Sequence, residues 1–425
     1  MRLDPEAAPA GAASVDARPS PPSPAAPLSA GMILLFAVAS GLAVANAYFA
    51  HPLLDIIADD LKLSRATVGL VVGATQLGYG LGLILLVPLG DLVDRRKLVM
   101  LQSLLSVAAL ICVAFSTSGA MLLAAMAAMG FLAVVTQAFV AYAASLARPE
   151  ERGQVVGAVT SGIVLGILLA RAIAGATADL SGWRAVYLLS AAATLVIAIV
   201  LFKALPPERR PPAQLSYPRL IGSLFVLFRQ ERVLRIRAII AMLIFADVTT
   251  LLTPLVLPLA APPFSLSHTA IGLFGLAGAA GALGAARAGA WTDRGHGQRL
   301  TGIALALMLF AWLPIGLLPQ SIFYLIAGVL ILDFGLQAVH VTNQAMIYRV
   351  RPEAQSRLTA GYMLFYSIGS ALGSSGSTLV YAFAGWTGVS LLGAAIAAIA
   401  LVFWAATLKA MPSEATRAVT ANPAA

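Results

Sequence analysis

The residues with the clearest chemical potential are charged side chains inside long apolar segments. Asp247 and Asp333 each lie near the middle of such a segment, and Arg171 lies toward the end of another. An ionised side chain at the bilayer centre costs about 2.5 to 3.5 kcal/mol on insertion scales, so such residues usually face a wet cavity. A carboxyl group in an apolar cavity can load and release a proton near neutral pH. We predict Asp247 and Asp333 as proton carriers and Arg171 as countercharge or anion contact; a static ion pair is the alternative.

A polar stripe accompanies Asp333. Asp333, Gln337, His340 and Gln344 are spaced by 4, 3 and 4 residues, which keeps them within an arc of about 60° on a helix. The stripe predicts either a cavity wall or polar packing against the next segment, which carries serines at 367, 370, 374 and 375. His340 is a candidate proton relay. The candidate substrate-cavity residues are Asn46, Tyr48, Gln76, Tyr79, Gln137, Gln337 and Gln344.

The elements that position these residues must be membrane helices. Of the 425 residues, 60% are apolar and 11% charged, and the mean hydropathy is +0.90. A soluble domain has about a quarter of its residues charged, and a membrane β-barrel alternates apolar and polar residues, so both are excluded. The single cysteine, Cys112, excludes a disulfide framework and a cysteine-based metal site.

A membrane helix needs about 20 apolar residues. The apolar segments predict twelve spans, numbered in order, at 30–50, 66–89, 98–117, 120–146, 154–177, 183–203, 238–259, 269–291, 300–318, 322–348, 358–383 and 386–408.

Basic residues are distributed unequally between the two sides of these spans. The side that holds both termini carries 22 of the 27 Lys and Arg residues, against 3 on the opposite side. By the positive-inside rule, the termini and the long linker are cytoplasmic, so the net charge of +9 indicates topology rather than nucleic-acid binding. In the linker, residues 217–228 are either an interfacial helix or a simple tether. The predicted organisation is a disordered tail at 1–28, a six-helix bundle at 29–203, a linker at 204–236, a second six-helix bundle at 237–409 and a tail at 410–425.

Short motifs recur in the two halves of the chain. Gly-Trp at 182–183 recurs at 385–386, and Gly166 recurs as Gly369, both 203 residues later. Recurrence in the same order indicates two homologous halves. Two parallel six-helix halves describe alternating-access transporters, in which the substrate lies near the midplane between the halves.

The loop after span 2 carries a motif that also recurs. Residues 88–97 read Pro-Leu-Gly-Asp-Leu-Val-Asp-Arg-Arg-Lys, and residues 289–299 hold a second copy. The first copy resembles the signature loop of the major facilitator superfamily, which reads Gly, three residues, Asp-Arg and further basic residues. The resemblance covers the chain after residue 28. It implies an all-α integral membrane fold with 12 transmembrane helices in two pseudo-symmetric six-helix bundles. It also implies a cytoplasmic gate, with a well-packed turn as the alternative, formed by Gly90, Asp94, Arg95, Gly289, Asp293 and Arg294.

Within that superfamily, the twelve-span layout and residues 46–53 most resemble drug:proton antiporter-type exporters. The resemblance implies proton-coupled efflux of a small organic solute or drug by alternating access. Its expected partners are that solute, protons and the lipid bilayer. We expect a monomer in the bacterial inner membrane, with no cofactor, no metal and no nucleic acid. The alternatives are a proton-coupled importer on the same fold and a membrane-embedded enzyme. The enzyme would use Asp55, Asp59 and Asp60 as a magnesium-diphosphate site; we favour a solvated loop at these residues.

Overall fold

A computed structural model describes residues 28–148, 151–205, 216–277, 281, 288, 291–351 and 355–411. These residues form helices joined by short turns, which confirms the predicted all-α membrane fold. Three shorter helices cover Leu54–Leu61, Tyr217–Gln230 and Val256–Ala260. The membrane helices cover Ala30–Ala45 in span 1, Gly69–Leu85 in span 2, Arg95–Ala114 in span 3, Gly119–Ala133 and Val135–Leu146 in span 4, Arg152–Ser181 in span 5, Trp183–Ala204 in span 6, Arg232–Leu252 in span 7, His268–Leu273 at the start of span 8, Gly297–Gly316 in span 9, Ile322–Tyr348 in span 10 and Gln355–Thr407 in spans 11 and 12.

The number of spans stays a prediction. Within the described ranges, nine helices are long and apolar enough to cross a membrane. The helix of span 1 is shorter, span 8 lies partly outside the described residues, and one continuous helical assignment covers spans 11 and 12. That assignment is interrupted at Gly385, where φ is +58°, and Gly182 separates spans 5 and 6 with φ +80°. The recurring Gly-Trp motif therefore marks the same helix boundary in both halves, because glycine adopts positive φ without steric cost.

Within each half, one pair of spans packs backbone against backbone. A Cβ atom at Gly166 of span 5 would lie 2.2 Å from the carbonyl oxygen of Gly41 in span 1. A Cβ atom at Gly373 of span 11 would lie 2.2 Å from the carbonyl oxygen of Ala246 in span 7. Gly369, the sequence counterpart of Gly166, makes the same kind of contact, since a Cβ atom there would lie 2.0 Å from the carbonyl oxygen of Met242 in span 7. Small residues permit such close approach of membrane helices.

Substitution of Gly166 by alanine should destabilise the fold. The added methyl group would overlap the backbone of span 1, and overpacking of this kind typically costs about 1 to 3 kcal/mol. Gly157 lies on the same helix and has no atom within 4 Å of its Cβ position, so Gly157→Ala is the matched control. We expect the thermal midpoint of the purified protein to fall by several degrees in Gly166→Ala only. Equal midpoints in the two variants would contradict the tight packing of spans 1 and 5.

The two halves are in close contact toward one end of the molecule. We name the end that carries the Tyr217–Gln230 helix the linker side, and the opposite end the far side. Toward the far side, a Cβ atom at Gly73 of span 2 would lie 2.7 Å from the Ser375 hydroxyl of span 11, and one at Gly272 of span 8 would lie 2.3 Å from the Arg171 carbonyl oxygen of span 5. Ser375 therefore packs against span 2, which corrects its predicted role as a partner for the polar stripe of span 10.

The described part of the linker is mostly helical. Residues Tyr217–Gln230 form a helix, as the interfacial interpretation predicted, and the helix of span 7 starts at Arg232, ahead of the predicted boundary at 237. Arg237, which the charge count assigned to the linker, is fully buried. Its guanidinium donates hydrogen bonds to Thr301 Oγ1 at 3.0 Å and Asn343 Oδ1 at 3.1 Å, so this cation joins three helices of the second half.

Candidate functional site

An aromatic cluster joins the halves at mid-depth. Tyr48 lies in span 1, just after its helix ends at Ala45, and its hydroxyl oxygen is 2.7 Å from that of Tyr366 in span 11. The Tyr366 ring packs edge-on against Phe245 of span 7, with centroids 4.1 Å apart, and against Tyr79 of span 2, with centroids 6.4 Å apart. Gln137 of span 4 donates a 3.5 Å hydrogen bond to the Tyr79 hydroxyl. The cluster thus draws on three spans of the first half and two of the second.

Arg171 lies beside this cluster and places a positive charge next to it. Its guanidinium carbon lies 5.7 Å from the centroid of the Tyr48 ring, a cation–π contact. Gly275 leaves room for the arginine, since a Cβ atom there would lie 3.1 Å from the Arg171 side chain. Arg171 and Asp333, which belong to opposite halves, interact electrostatically. The Arg171 Nε atom is buried and has no hydrogen-bond partner among the described residues. A cation of one half and a carboxylate of the other therefore lie close enough to interact across the interface between the halves.

The polar stripe of span 10 extends from Asp333 toward the linker side. Asp333, Gln337, His340 and Gln344 are all half-buried. His340 Nδ1 lies 2.8 Å from the Tyr362 hydroxyl, and its ring packs against Phe245 with centroids 5.2 Å apart. The stripe therefore meets the aromatic cluster through His340, while Gln337 lies against the backbone of span 8 at Gly281.

The structure divides the predicted cavity residues of the first half into two groups. Tyr48, Tyr79, Gln137 and the buried Gln76, which hydrogen-bonds Tyr366, gather at the aromatic cluster. Asn46 points into the first half instead, where its Oδ1 accepts a 2.6 Å hydrogen bond from Ser190 of span 6. There it lines a small cavity between spans 1, 3, 4 and 6.

Asp247 also lies away from the aromatic cluster. It is 1% exposed, and its Oδ1 accepts a 2.8 Å hydrogen bond from the indole nitrogen of Trp312 in span 9. Its Oδ2 has no hydrogen-bond partner among the described residues. The two predicted proton carriers therefore occupy different environments. Asp333 faces the other half of the protein, and Asp247 is enclosed within its own half.

The predicted gate residues of the first half stabilise the loop after span 2. The Asp94 carboxylate caps the helix of span 3 by accepting hydrogen bonds from the backbone N–H groups of Arg96 and Lys97. Arg95 donates to the carbonyl oxygens of Gly90 and Ala141. Of the second copy, Gly289 and the Asp293 side chain lie outside the described residues, and Arg294 is exposed. These contacts match the packed-turn alternative in the conformation observed.

A second polar site, which the sequence analysis missed, joins the halves at the far side. His268, at the start of span 8, lies between two carboxylates of the first half. Its Nε2 is 3.0 Å from Asp55 Oδ2, and its Nδ1 is 2.9 Å from Asp179 Oδ1 at the end of span 5. Asp179 also accepts hydrogen bonds from the Thr269 backbone N–H and hydroxyl. We name His268, Thr269, Asp55 and Asp179 the far-side clasp.

The three acids after span 1 lie on the Leu54–Leu61 helix, where Asp59 and Asp60 are exposed, as the solvated interpretation predicted, and Asp55 is half-buried. Asp55 belongs to the clasp, and Asp60 pairs with Arg184 and accepts a hydrogen bond from the Trp183 indole. The hydrogen bond from Arg184 holds the pKa of Asp60 below its ordinary value. No group of three His, Cys, Asp or Glu side chains suited to a metal ion occurs among the residues the structure describes, which gives the magnesium-diphosphate interpretation no support.

Two helical halves that meet around an ionisable, aromatic centre define a membrane transporter. Residues 33–294 and 237–424 each match the sequence profile of the Major Facilitator Superfamily. The chain belongs to the Major Facilitator Superfamily, and it is a transporter rather than an enzyme.

Individual relatives agree with this assignment. The chain is 46% identical to the uncharacterized transporter YgaY of Escherichia coli O157:H7, over 89% of this chain and 95% of the relative. It is 22% identical to a probable sugar efflux transporter of Helicobacter pylori strain 26695, over 83% of this chain and 88% of the relative. Among solved structures, a bacterial homologue of the human lysosomal transporter Spinster, inward-facing and occupied, superposes with a TM-score of 0.74 at 14% identity, covering 90% of this chain and 97% of that one.

Proposed function

We propose that the protein is a secondary active transporter that exports a small organic solute by alternating access, driven by protons. The observation that carries this proposal is the electrostatic pair of Arg171 and Asp333, which belong to opposite halves beside an aromatic cluster. An ionisable pair at such a position can respond to both a solute and a proton. Residues at the interface of two rocking halves are also exposed to each side of the membrane in turn.

The contacts between the halves support a conformation that opens toward the linker side. The far-side clasp and the close approach of span 2 to span 11 join the halves toward the far side. At the linker side, Asp94 contacts the backbone of its own helix. In the alternate conformation, we propose that Gly90, Asp94, Arg95, Gly289, Asp293 and Arg294 form the gate that closes the linker side, as the resemblance implies.

Asp333 is the better-placed proton carrier of the two acids. Its charge faces Arg171, so protonation of Asp333 changes the electrostatics of the site where a solute would bind. Asp247 meets only the Trp312 N–H among described side chains and lies within one half. His340, joined to Tyr362 at 2.8 Å, is the proposed relay from the stripe toward the linker side.

The proposed direction of transport combines the topology with the resemblance to exporters. We place the linker side in the cytoplasm of a bacterial cell because it holds most of the Lys and Arg residues. The resemblance to drug:proton antiporter-type exporters favours efflux, as does the relative named a probable sugar efflux transporter. Few fixed charges line the site, so a mostly neutral or amphipathic solute suits it.

A variant that prevents far-side closure tests the proposal. A Cβ atom at Gly175 of span 5 would lie 2.0 Å from the His268 carbonyl oxygen, so Gly175→Val should keep spans 5 and 8 apart. We expect export of labelled solutes, screened as a panel in cells, to fall about tenfold or more, because one of the two conformations is lost. Gly157→Val, at a glycine with open space around it, is the control.

The same assay separates the exporter from its alternative. Cells that make the wild-type protein should accumulate less of a transported compound than cells that make Gly175→Val. Greater accumulation with the wild type would indicate an importer and contradict the proposed direction. Unchanged transport in Gly175→Val, with wild-type protein levels in the membrane, would contradict alternating access through these contacts.

A further inference from the structure

The linker helix, Tyr217–Gln230, bridges the two halves at the linker side. At its start, the Tyr217 hydroxyl donates a 2.6 Å hydrogen bond to the carbonyl oxygen of Leu85, the last residue of the span 2 helix. Near its end, the Phe228 ring stacks on Phe365 of span 11 with centroids 5.2 Å apart, and it fills the space above Gly361. The helix therefore lies across the ends of a span from each half, at the depth where membrane helices reach the lipid headgroups.

The outer face of the linker helix combines apolar and basic residues. Leu224 and Leu227 are buried against the protein, whereas Phe225 and Val226 are 56% and 50% exposed. Arg219 is also exposed, and at about 100° per residue it lies about 20° from Val226 around the helix. Amphipathic helices with an apolar face and basic flanking residues lie in the plane of the membrane interface.

The charged side chains exposed on this surface are positive. The linker helix contains Arg219 and Arg229, both exposed, and no acidic residue. Glu231, just beyond the helix, is bound by Arg351 at 2.6 Å, so it does not offset the arginines. Arg232 follows and is also exposed. An exposed basic surface next to exposed aromatic and aliphatic side chains complements a negatively charged headgroup above an acyl chain.

We propose that the linker helix is a docking surface for anionic phospholipids. Arg219 and Arg229 bind the headgroup phosphates, and Phe225 and Val226 enter the boundary between headgroups and acyl chains. Because the same helix contacts span 2 at Tyr217 and span 11 at Phe228, a bound lipid restrains an element that must adjust when the halves move. The surface is separate from the proposed transport site.

Native mass spectrometry of the full-length protein tests the lipid preference. The protein is released from micelles that contain equal amounts of phosphatidylglycerol and phosphatidylcholine, and the retained lipids are counted. We expect the wild type to favour phosphatidylglycerol, and the double variant Arg219→Gln, Arg229→Gln to lose about fivefold of that preference. Lys203→Gln removes an exposed linker-side charge at the end of span 6 and should keep it. Equal retention of the two lipids by the wild type, or an unchanged preference in the double variant, would overturn the proposal.

Two further measurements distinguish lipid from other ligands. A large excess of inorganic phosphate should leave the phosphatidylglycerol adducts in place; their displacement would assign the arginines to a soluble anion and overturn the proposal.

Cys112 is the single cysteine, so Cys112→Ala permits one spin label at a time. A label at Phe225→Cys should collide mainly with oxygen dissolved in lipid, and one at the exposed Gln230→Cys with a water-soluble nickel complex. Equal collision with nickel at both sites would exclude contact of Phe225 with the bilayer. None of these measurements depends on transport.

Discussion

Asp333→Asn should uncouple solute movement from proton movement. Asparagine keeps the size of the side chain but cannot carry a proton, and it leaves Arg171 without the carboxylate that faces it in the wild type. In proteoliposomes with a pH dye inside, solute-driven proton flux should fall about tenfold or more. Exchange of labelled for unlabelled solute at equal pH needs no net proton movement and should persist.

The matched control for this experiment is Asp247→Asn. Both acids lie near the middle of their spans. A difference between the two variants therefore reports where each acid lies within the bundle, not how deep it lies in the membrane. Because Asp247 contacts Trp312 within its own half, we expect Asp247→Asn to retain coupled proton flux even if it lowers stability. Coupling that is lost in Asp247→Asn and kept in Asp333→Asn would transfer the carrier role to Asp247. Coupling kept in both variants would remove both acids from the mechanism.

Hydrophobicity and periodicity predicted much of this fold. Long apolar segments located the helices, because any segment that crosses lipid must satisfy its backbone within a helix. The spacing of the stripe from Asp333 to Gln344 predicted a shared helical face, and His340 does meet the aromatic cluster. The glycine-tryptophan motif indicated two homologous halves, and Gly182 and Gly385 do interrupt the helices at equivalent positions.

The rotation of each helix was not predictable from hydrophobicity. Asn46 and Tyr48 are two residues apart, about 200° on a helical path, and only Tyr48 faces the other half. Asp247 and Asp333 both lie near the middle of their spans, so the sequence made them equal candidates. Helix packing, however, encloses Asp247 within its own half. A polar residue inside a nearly uniformly apolar helix carries little information about direction, because the face that lies against protein is as apolar as the face that lies against lipid.

The far-side clasp was missed for a different reason. Asp55, Asp179 and His268 are far apart in sequence, and each lies at a helix end, where charged residues are usually solvated. Only the contact of two halves brings them within hydrogen-bond distance. The available signal was topological, since all three residues lie at far-side ends of predicted spans. That signal does not specify which loops touch.

Alkaline pH on the far side should open the far-side clasp. The hydrogen bond to Asp55, with Asp179 on the other ring nitrogen, raises the pKa of His268 from 6.5 to about 8. The closed state therefore gains stability below pH 6.5, and this gain is lost as the pH rises through about 8. The difference is worth at most about 2 kcal/mol. Partial exposure of His268 reduces it, so we expect about a tenfold effect.

Cysteine labelling measures this opening directly. Ile271 is 4% exposed and lies one turn beyond His268, lining a small cavity behind the clasp with Arg171. In a Cys112→Ala background, a membrane-impermeant maleimide should modify Ile271→Cys slowly at pH 6.5. Modification should become about tenfold faster at pH 8.5, after correction for the intrinsic reactivity of the thiol.

His268→Gln should abolish this pH dependence and leave the far side open. Glutamine cannot carry the positive charge that offsets Asp55 and Asp179, so the two carboxylates then favour separation. Labelling at Ile271→Cys should be fast at every pH. His296→Gln, at an exposed histidine on the linker side, should behave as the wild type. A pH response that survives in His268→Gln would show that another group closes the far side. In the His268→Gln variant, acid outside the cell should no longer favour closure of the far side. Favouring that closure is the contribution that His268 can make to a proton-driven cycle.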